Sequence, residues 1–364
     1  MTIKTLQTYL VPGLVIQAVL VGGGYATGRE LVEFFLSMGP LSGLIGMGLT
    51  AAIISIGSMI GFELARLGRA YDYRSFMGLL LGRGRFLFEI VYFAGLMLVL
   101  AIVSAAAGEL LFDLLGWSHL LSASIFMAAV AVLVFFGNSV IEKVISVWSV
   151  IFYLTYGLLF VLVLDRFGDQ MLASLTMEPF RPVDTVWNAV SYSAYNIPLL
   201  PVLIFVARNF KTRREAMLAG AIAGPLILLP GFAFLLTLSA FYPEINQSTL
   251  PVQTVLARLD SPGLALALQL VVLGALIKTG AGLLHGFNER LARHFADMDR
   301  PLRSGLRPLV ALAVMMVAIV AATRIGLVDL IGSGYRYSAL FYLAVLVIPL
   351  FTVGAWRAFM QKED

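Results

Sequence analysis

Three features of this chain carry chemistry that a run of apolar residues does not explain: a lysine deep inside an apolar stretch, a glycine-rich interruption, and a polar patch flanked by prolines. Lys278 stands about 15 residues into the apolar run that begins near residue 263, ~23 Å along a helix. An ammonium at that depth costs about 2.5 kcal/mol or more and marks a functional position by default. Two roles fit it. A fixed ammonium can brace a neighbouring helix by binding its carbonyls. Alternatively, because burial penalises the charged form of an amine, the group can release and regain a proton during a working cycle. His285 follows seven residues later on the same face and offers either a proton relay or plain packing near a helix end.

The interruption is Gly22-Gly23-Gly24-Tyr25-Ala26-Thr27-Gly28, set between the aliphatic run Leu10 to Val21 and the helical pattern of Arg29-Glu30-Leu31-Val32-Glu33-Phe34-Phe35. Each glycine costs about 1 kcal/mol relative to alanine inside a helix. A helix that breaks at membrane depth exposes N–H and C=O groups, tolerated only where they face protein, water or a ligand. Half-helix ends carry partial positive charge on their amides and suit a carboxylate or another anionic group. Glycine also lets a ligand approach the backbone closely. Gly22, Gly23, Gly24, Tyr25, Ala26 and Thr27 are therefore candidate solute-binding residues, with close helix packing as the competing use of the glycines.

The polar patch is Val190-Ser191-Tyr192-Ser193-Ala194-Tyr195-Asn196-Ile197-Pro198-Leu199-Leu200-Pro201. A proline within a helix removes one hydrogen bond and clashes with the preceding turn. Tyr192, Ser193, Tyr195 and Asn196 place hydroxyl and amide groups beside that break, and Tyr192, Ala194, Tyr195 and Asn196 are the candidate contacts. Interhelical hydrogen bonding is the plainer alternative. Arg29, Glu30 and Glu33 lie just beyond the glycine break. Arg29 and Glu33 form an i,i+4 pair, and all three are expected either at an outer gate with Glu109 or Asp113 or in a simple interfacial ion pair. Glu63 is expected to pair with Arg66 or another arginine of the same end. Tyr92 and Met97 are weaker candidates for the pocket wall, and Trp117, Trp148, Trp187 and Trp356 read mostly as interfacial anchors.

The elements that must position these residues are membrane helices. Of 364 residues, 60% are hydrophobic and only 13% charged, and the apolar runs are continuous rather than alternating, which excludes a β-barrel. Runs of about 20 apolar residues match a hydrocarbon core of ~30 Å. They fall at about 9–37, 41–66, 87–114, 119–136, 141–165, 185–208, 214–242, 263–289, 306–323 and 327–356, predicting ten transmembrane helices in an all-α polytopic protein. The first run is expected to be retained rather than cleaved, since it continues past the glycines without a small-residue cleavage site. In the second run, Gly57-Ser58-Met59-Ile60-Gly61 provides a small-residue face for close helix contact. A polar loop from Pro243 to Pro262 has room for a short helix.

Lysine and arginine in short loops set the orientation. Lys4, Arg66, Arg69, Arg74, Arg83, Arg85, Lys143, Arg208, Lys211, Arg213, Arg214, Arg290, Arg293, Arg300, Arg303, Arg307, Arg357 and Lys362 all fall on one side, against Arg166, Arg181, Arg258, Arg324 and Arg336 on the other. Both termini are expected in the cytoplasm. A polar loop near Asp165 to Asp184 divides the runs into residues 1–165, an extracellular linker 166–183, and residues 184–364. Five spans per block means the second half enters from the opposite side, the arithmetic of an inverted repeat, with interrupted helices one and six in matching places.

Several classes are set aside. The chain has no cysteine, which removes disulfides, thiol catalysis and thiolate metal sites. It has no glycine-rich phosphate loop with a lysine, no metal-binding histidine pair and no nucleophile signature. No enzyme activity and no cofactor are expected, and no nucleic-acid partner, because the net charge of +4 is spent on topology. The expected partners are a small-molecule solute and the lipid bilayer.

The run from Gly22 to Glu30, followed by Glu33-Phe34-Phe35, resembles the first-helix signature of YkvI-type membrane proteins, relatives of the amino acid–polyamine–organocation (APC) superfamily and of spore-germinant receptor permease subunits. The resemblance covers the whole chain in topology and is specific around residues 22–35, more loosely around 192–201. It implies the LeuT fold, with solute held between the unwound parts of spans one and six. In that fold the eighth span and the unwound first span commonly form a sodium site, and Lys278-Thr279 occupies a similar place, so an ammonium stands in for the ion. The expectation is a secondary transporter in the inner membrane, a permease for an amino-acid-like or amine solute. It would work by alternating access, independently of sodium, with symport of protons as the favoured coupling. A solute sensor with the same fold, binding without transport, is the alternative.

Overall fold

The computed structural model describes residues 3–135, 138–297 and 306–360. Arg300, Arg303 and Lys362 of the charge pattern lie outside the described residues. Those described are helical nearly throughout, with no strand among them. The first apolar run is divided into α1 (Ile3–Tyr9), α2 (Val11–Leu20), α3 (Gly23–Thr27) and α4 (Arg29–Phe34). Then come α5 (Pro40–Leu67), entered through Gly39 at φ +97°, and α6 (Tyr73–Leu81). Asp72 caps α6 by accepting the Ser75 amide at 3.0 Å. The Ser75 hydroxyl, with that amide, holds the exposed Asp72 carboxyl below its ordinary range. Helices α7 (Arg85–Leu115), α8 (His119–Phe135) and α9 (Asn138–Ser174) complete the first half.

The second half opens with α10 (Pro182–Asn196) and α11 (Leu199–Val202), which tighten into a 3-10 turn over Ile204–Asn209. Helix α12 (Arg213–Ser239) starts from a reciprocal cap between Thr212 and Glu215. The expected short helix is α13 (Pro251–Leu259), whose Val252, Val255, Leu256 and Leu259 are buried at helical spacing. Helices α14 (Pro262–Asp297), α15 (Leu306–Ile325), α16 (Leu327–Asp329), α17 (Tyr335–Tyr342) and α18 (Ala355–Met360) follow, the last three joined by wide π-type turns.

Six helical stretches among the described residues are long and apolar enough to cross a membrane: Pro40–Leu67, Tyr73–Leu115, Val150–Ser174, Arg213–Ser239, Pro262–Leu291 and Leu327–Met360. Three apolar helices are shorter: Val11–Leu20, His119–Val134 and Leu309–Ile325. The sequence expects a loop from Asp165 onward. Instead α9 runs on to Ser174 with a kink at Phe167, φ −131°. Buried Val163 and Met171 sit eight residues apart on one face, and Phe167 packs on Phe241 at 5.0 Å. Asp165, Arg166 and Asp169 end the apolar run without ending the helix.

Helices α5 and α12 form the tightest pair. Gly224 lies on the Ala51 carbonyl, and the Ser55 hydroxyl donates to Ala221 O at 2.8 Å. Gly57 and Gly61 of α5 admit Phe351 and Leu200 respectively. Helix α14 packs on α3, α7, α8 and α9, which places Lys278 against the glycine break. Trp148 is not an interfacial anchor as expected: its indole N–H donates to Val271 O at 2.9 Å while the ring lies on Gly274. Several basic residues gather at one end. Arg66 binds Glu63 through two bonds of 2.8 Å, Arg213 covers Phe359, Arg290 reaches Glu89 at 3.7 Å, and Arg357 donates to Leu79 O.

Candidate solute site at the interrupted first helix

Helix α2 stops at Leu20. Val21 leaves helical geometry at φ −71°, ψ +74°, Gly22 is extended at φ −104°, ψ −164°, and Gly23 and Gly24 open α3. Gly28 then ends α3 in the left-handed region at φ +81°, where only glycine sits without strain. Thr27 sews this second corner: its hydroxyl donates to Gly24 O at 2.8 Å and accepts the Arg29 amide at 3.3 Å. Two breaks within eight residues leave the last carbonyls of α2 and the first amides of α3 without partners inside their own helices.

Lys278 answers the first of these. Its ammonium donates to Ala18 O at 3.2 Å and to Val21 O at 3.4 Å. Those carbonyls form the C-terminal end of α2, where the helix dipole is negative. Only 8% of Lys278 is exposed. Thr279 stands beside it, its hydroxyl donating to Ala275 O at 2.9 Å and closely approaching Gly22, where an added Cβ would meet Thr279 Oγ1 at 3.0 Å. From the other side, the Tyr156 hydroxyl of α9 donates to Ala26 O. Tyr156 escapes sequence reasoning because nothing but its polar tip sets it apart in an apolar helix.

Glu30 departs from expectation. It is grouped by sequence with Arg29 and Glu33 at a gate, yet it turns inward and is 5% exposed. The Tyr195 hydroxyl donates to its Oε1, and its Oε2 lies 3.0 Å from the place a Cβ on Gly24 would occupy. The reason is the left-handed turn at Gly28, which rotates α4 so that Glu30 looks back over α3. Tyr335, absent from the candidates, closes the group: its ring stacks on Tyr195 at 4.4 Å and 8°. The signal available for it was its place beside Gly332 and Gly334 in the last apolar run. Tyr192 packs between Phe34 and Phe35 at 5.4 and 4.9 Å. Its buried hydroxyl makes no well-formed hydrogen bond, though it lies within electrostatic reach of Glu30.

Arg29 and Glu33 form a clasp with a partner other than the expected Glu109 or Asp113. Arg29 holds Glu33 at 2.9 Å and donates to Asn246 O and Ser248 O at 2.9 and 3.1 Å. Arg336 binds the other Glu33 oxygen at 3.2 Å. Glu109 instead faces His119 at 3.9 Å. The clasp therefore links α4, the loop before α13, and α17.

The remaining candidates are placed less directly. Tyr25 is buried with its hydroxyl on Gly231 of α12. Asn196 donates back to Tyr192 O at 2.9 Å and Ser193 to Ala189 O at 2.7 Å, so both serve their own helix. Ala194 is buried. Asn196, Ile197 and Leu200 line a cavity of about 20 Å³ against Ile16, Leu20 and Ile227. Tyr92 faces a different space, stacking under Arg290 at 4.0 Å in a cavity of about 1220 Å³ at the basic end, which Leu96, Ile204, Arg208 and Glu289 also line. Met97 packs on the apolar core. Among the described residues no group of three or more His, Asp or Glu is arranged to hold a metal ion.

No family model matches the chain. It is similar to the uncharacterized membrane protein YkvI of Bacillus subtilis strain 168, 25% identical over 286 residues, covering 75% of this chain and 78% of that protein. Among solved structures it resembles the manganese transporter of Eremococcus coleocola, with a TM-score of 0.60 at 18% identity over 95% of this chain and 79% of that one. It also resembles MhsT in complex with L-phenylalanine, with a TM-score of 0.55 at 14% identity over 98% of this chain and 97% of that one. The chain is an all-helical, polytopic membrane protein with a LeuT-like fold.

Proposed function

We propose that this protein is a secondary active transporter of a small amino-acid-like or amine solute, working by alternating access. One observation carries the reading: within a single interrupted helix, a buried ammonium binds the carbonyls where α2 ends, and a buried carboxylate overlooks the glycines where α3 begins. Fixed charges of both signs beside unwound backbone suit a zwitterion or a cation, and unwound backbone at membrane depth is where transporters hold cargo. The likeness in fold to a manganese transporter and to a protein that holds L-phenylalanine supports the mechanism class.

In this reading the chain makes ten crossings as an inverted repeat, residues 1–165 and 184–364, with helices one and six interrupted. The close pairing of α5 with α12, the second element of each half, supports it. The protein lies in the inner membrane with both termini cytoplasmic. The clasp of Arg29, Glu33 and Arg336 then seals the outer side while the cavity of about 1220 Å³ opens to the cytoplasm. Lys278 occupies the place of a sodium ion, making the cycle sodium-independent, with symport of protons as its coupling.

Uptake into proteoliposomes under an imposed pH gradient, with sodium replaced by potassium, tests this. Wild-type protein is expected to accumulate an amino acid or amine several-fold over protein-free vesicles, and Lys278→Ala to lose the dependence on the gradient. Unchanged uptake and pH dependence in Lys278→Ala makes the lysine a static brace. Binding without flux in the wild type replaces the transporter with a sensor.

A further inference from the structure

Glu30 is a carboxylate with an unusual set of neighbours. No basic side chain among the described residues lies within 4 Å of it, since Arg29, next in sequence, is turned away into the clasp with Glu33, Asn246 and Ser248. What surrounds it is aromatic and hydroxylic. Tyr195 donates to one oxygen, Tyr192 and Tyr25 lie within electrostatic reach, and Tyr335 stacks on Tyr195 with its hydroxyl 3.6 Å from the missing Cβ of Gly24. The Tyr25 hydroxyl is buried without a hydrogen-bond partner among the described residues, and the Tyr192 hydroxyl leans on Glu30 and Tyr195 without a well-formed bond to either. An ionised carboxylate in such a place is far too costly to stand alone. It is neutralised either by a proton or by a cation supplied from outside.

The geometry points to Glu30, Tyr195 and Tyr335 as the subsite that takes the ammonium group of the solute, with the proton as its competitor for the same carboxylate. Oxygen Oε1 is held by Tyr195, which fixes the carboxylate's rotamer. Oxygen Oε2 packs toward Gly24, whose missing side chain leaves room for the carboxylate itself beside the backbone. The parallel rings of Tyr195 and Tyr335 add electron-rich surface, to which cations are attracted. The far side of the break already has its cation in Lys278, so the charges divide: the solute's anionic or neutral end has the helix ends and Lys278, and its ammonium has Glu30. This rests on the transporter reading for the cargo but not for the binding, because a sensor would use the same subsite.

Melting temperatures of the purified full-length protein in detergent at pH 7 test it, with n-butylamine, putrescine and L-lysine against n-butyrate and succinate. The amines are expected to raise the melting temperature in a saturable way and the acids to leave it unchanged. Glu30→Gln, which keeps an acceptor for Tyr195 and removes the charge, is expected to bind the amines at least tenfold more weakly while melting at or above the wild-type temperature without ligand. Tyr335→Leu, which removes one ring and leaves the carboxylate, is expected to weaken amine binding several-fold and serves if Glu30→Gln does not fold. Stabilisation by the acids alone, no shift with any amine, or undiminished amine binding in both variants overturns the assignment. The two readings fail separately. Glu30-dependent amine binding without flux sinks transport and leaves the subsite, whereas flux with no effect of Glu30→Gln on amine binding does the reverse.

Discussion

The two interrupted segments of this protein, Val21 to Gly28 and Ile197 to Leu203, are broken by different residues and to different depths. In the first, the backbone leaves helical angles altogether: Gly22 is extended, and Gly28 takes the left-handed conformation that only glycine adopts without strain. In the second, Ile197 and Pro198 keep right-handed helical angles, φ −55° and −57°, and the helix only tightens, through α11 into a 3-10 turn. Proline removes a donor without changing the sign of a dihedral; glycine frees the dihedral itself. The electrostatics follow. Lys278, Glu30, Tyr156 and the Arg29 clasp all converge on the glycine break, whereas the proline break faces aliphatic side chains and a cavity of about 20 Å³. The glycine break gathers polar and charged side chains, while the proline break, two residues beyond Tyr195, is packed mainly by aliphatic ones.

The sharpest way to break this contrast is Gly28→Ala. A Cβ there would meet Phe234 Cζ at 3.0 Å, and Leu238 and Pro251 at 3.2 Å each, on a backbone at φ +81°. The left-handed penalty is about 1–2 kcal/mol and overpacking adds about 1–3, so a loss of about 2–5 kcal/mol is expected in equilibrium unfolding. A variant as stable as wild type would mean that the corner at Gly28 is not held by its surroundings.

A smaller effect separates the two ends of the glycine stretch. Gly22 has ordinary extended angles, so alanine costs nothing there in backbone strain. Its nearest neighbour is Thr279, with Oγ1 at 3.0 Å and Cγ2 at 3.4 Å from the added Cβ, and Val19 O stands at 3.7 Å. Gly22→Ala is expected to cost about 1 kcal/mol by crowding and to cost almost nothing in a Thr279→Ala background. The coupling, read from a double-mutant cycle of unfolding free energies, should be at least about 0.5 kcal/mol. Additive costs would show that Gly22 does not touch α14.

The same contrast explains what could be read from the chain alone. Four glycines in seven residues and a lysine in an apolar run are local anomalies, and the structure brings the two together through Ala18 and Val21. Proline pairs in a polar patch are equally visible, but spacing does not say that Ser193 and Asn196 will turn their polar groups onto their own helix. Glu30 was out of reach for a specific reason. Its direction depends on the left-handed angle at Gly28, and i,i+4 arithmetic across that residue assumes a helix that is not there. Tyr156 and Tyr335 meet the break from distant parts of the chain, a tertiary fact with no local signal. The end of α9 was misplaced because charge ends an apolar run more readily than it ends a helix.

The smallest effect is expected at the proline joint. Pro198 keeps helical angles, and the turn around it is bonded without help from its nitrogen: Leu200 N–H reaches Ile197 O at 2.9 Å, and Leu203 N–H reaches Leu199 O at 2.9 Å. Alanine at 198 would restore an N–H able to reach the carbonyl four residues back, a gain of about 0.5–1.5 kcal/mol. It would also remove ring carbons from a buried position, a loss of about 0.8 kcal/mol per methylene. The two offset, so Pro198→Ala is expected to stay within about 1 kcal/mol of wild type in unfolding, and to leave the amine midpoints of the wild type unchanged because no group of the Glu30 subsite moves. If Pro198→Ala instead destabilises as much as Gly28→Ala, or weakens amine binding tenfold, the sixth segment is a second polar wall of the site and the division between site and joint is lost.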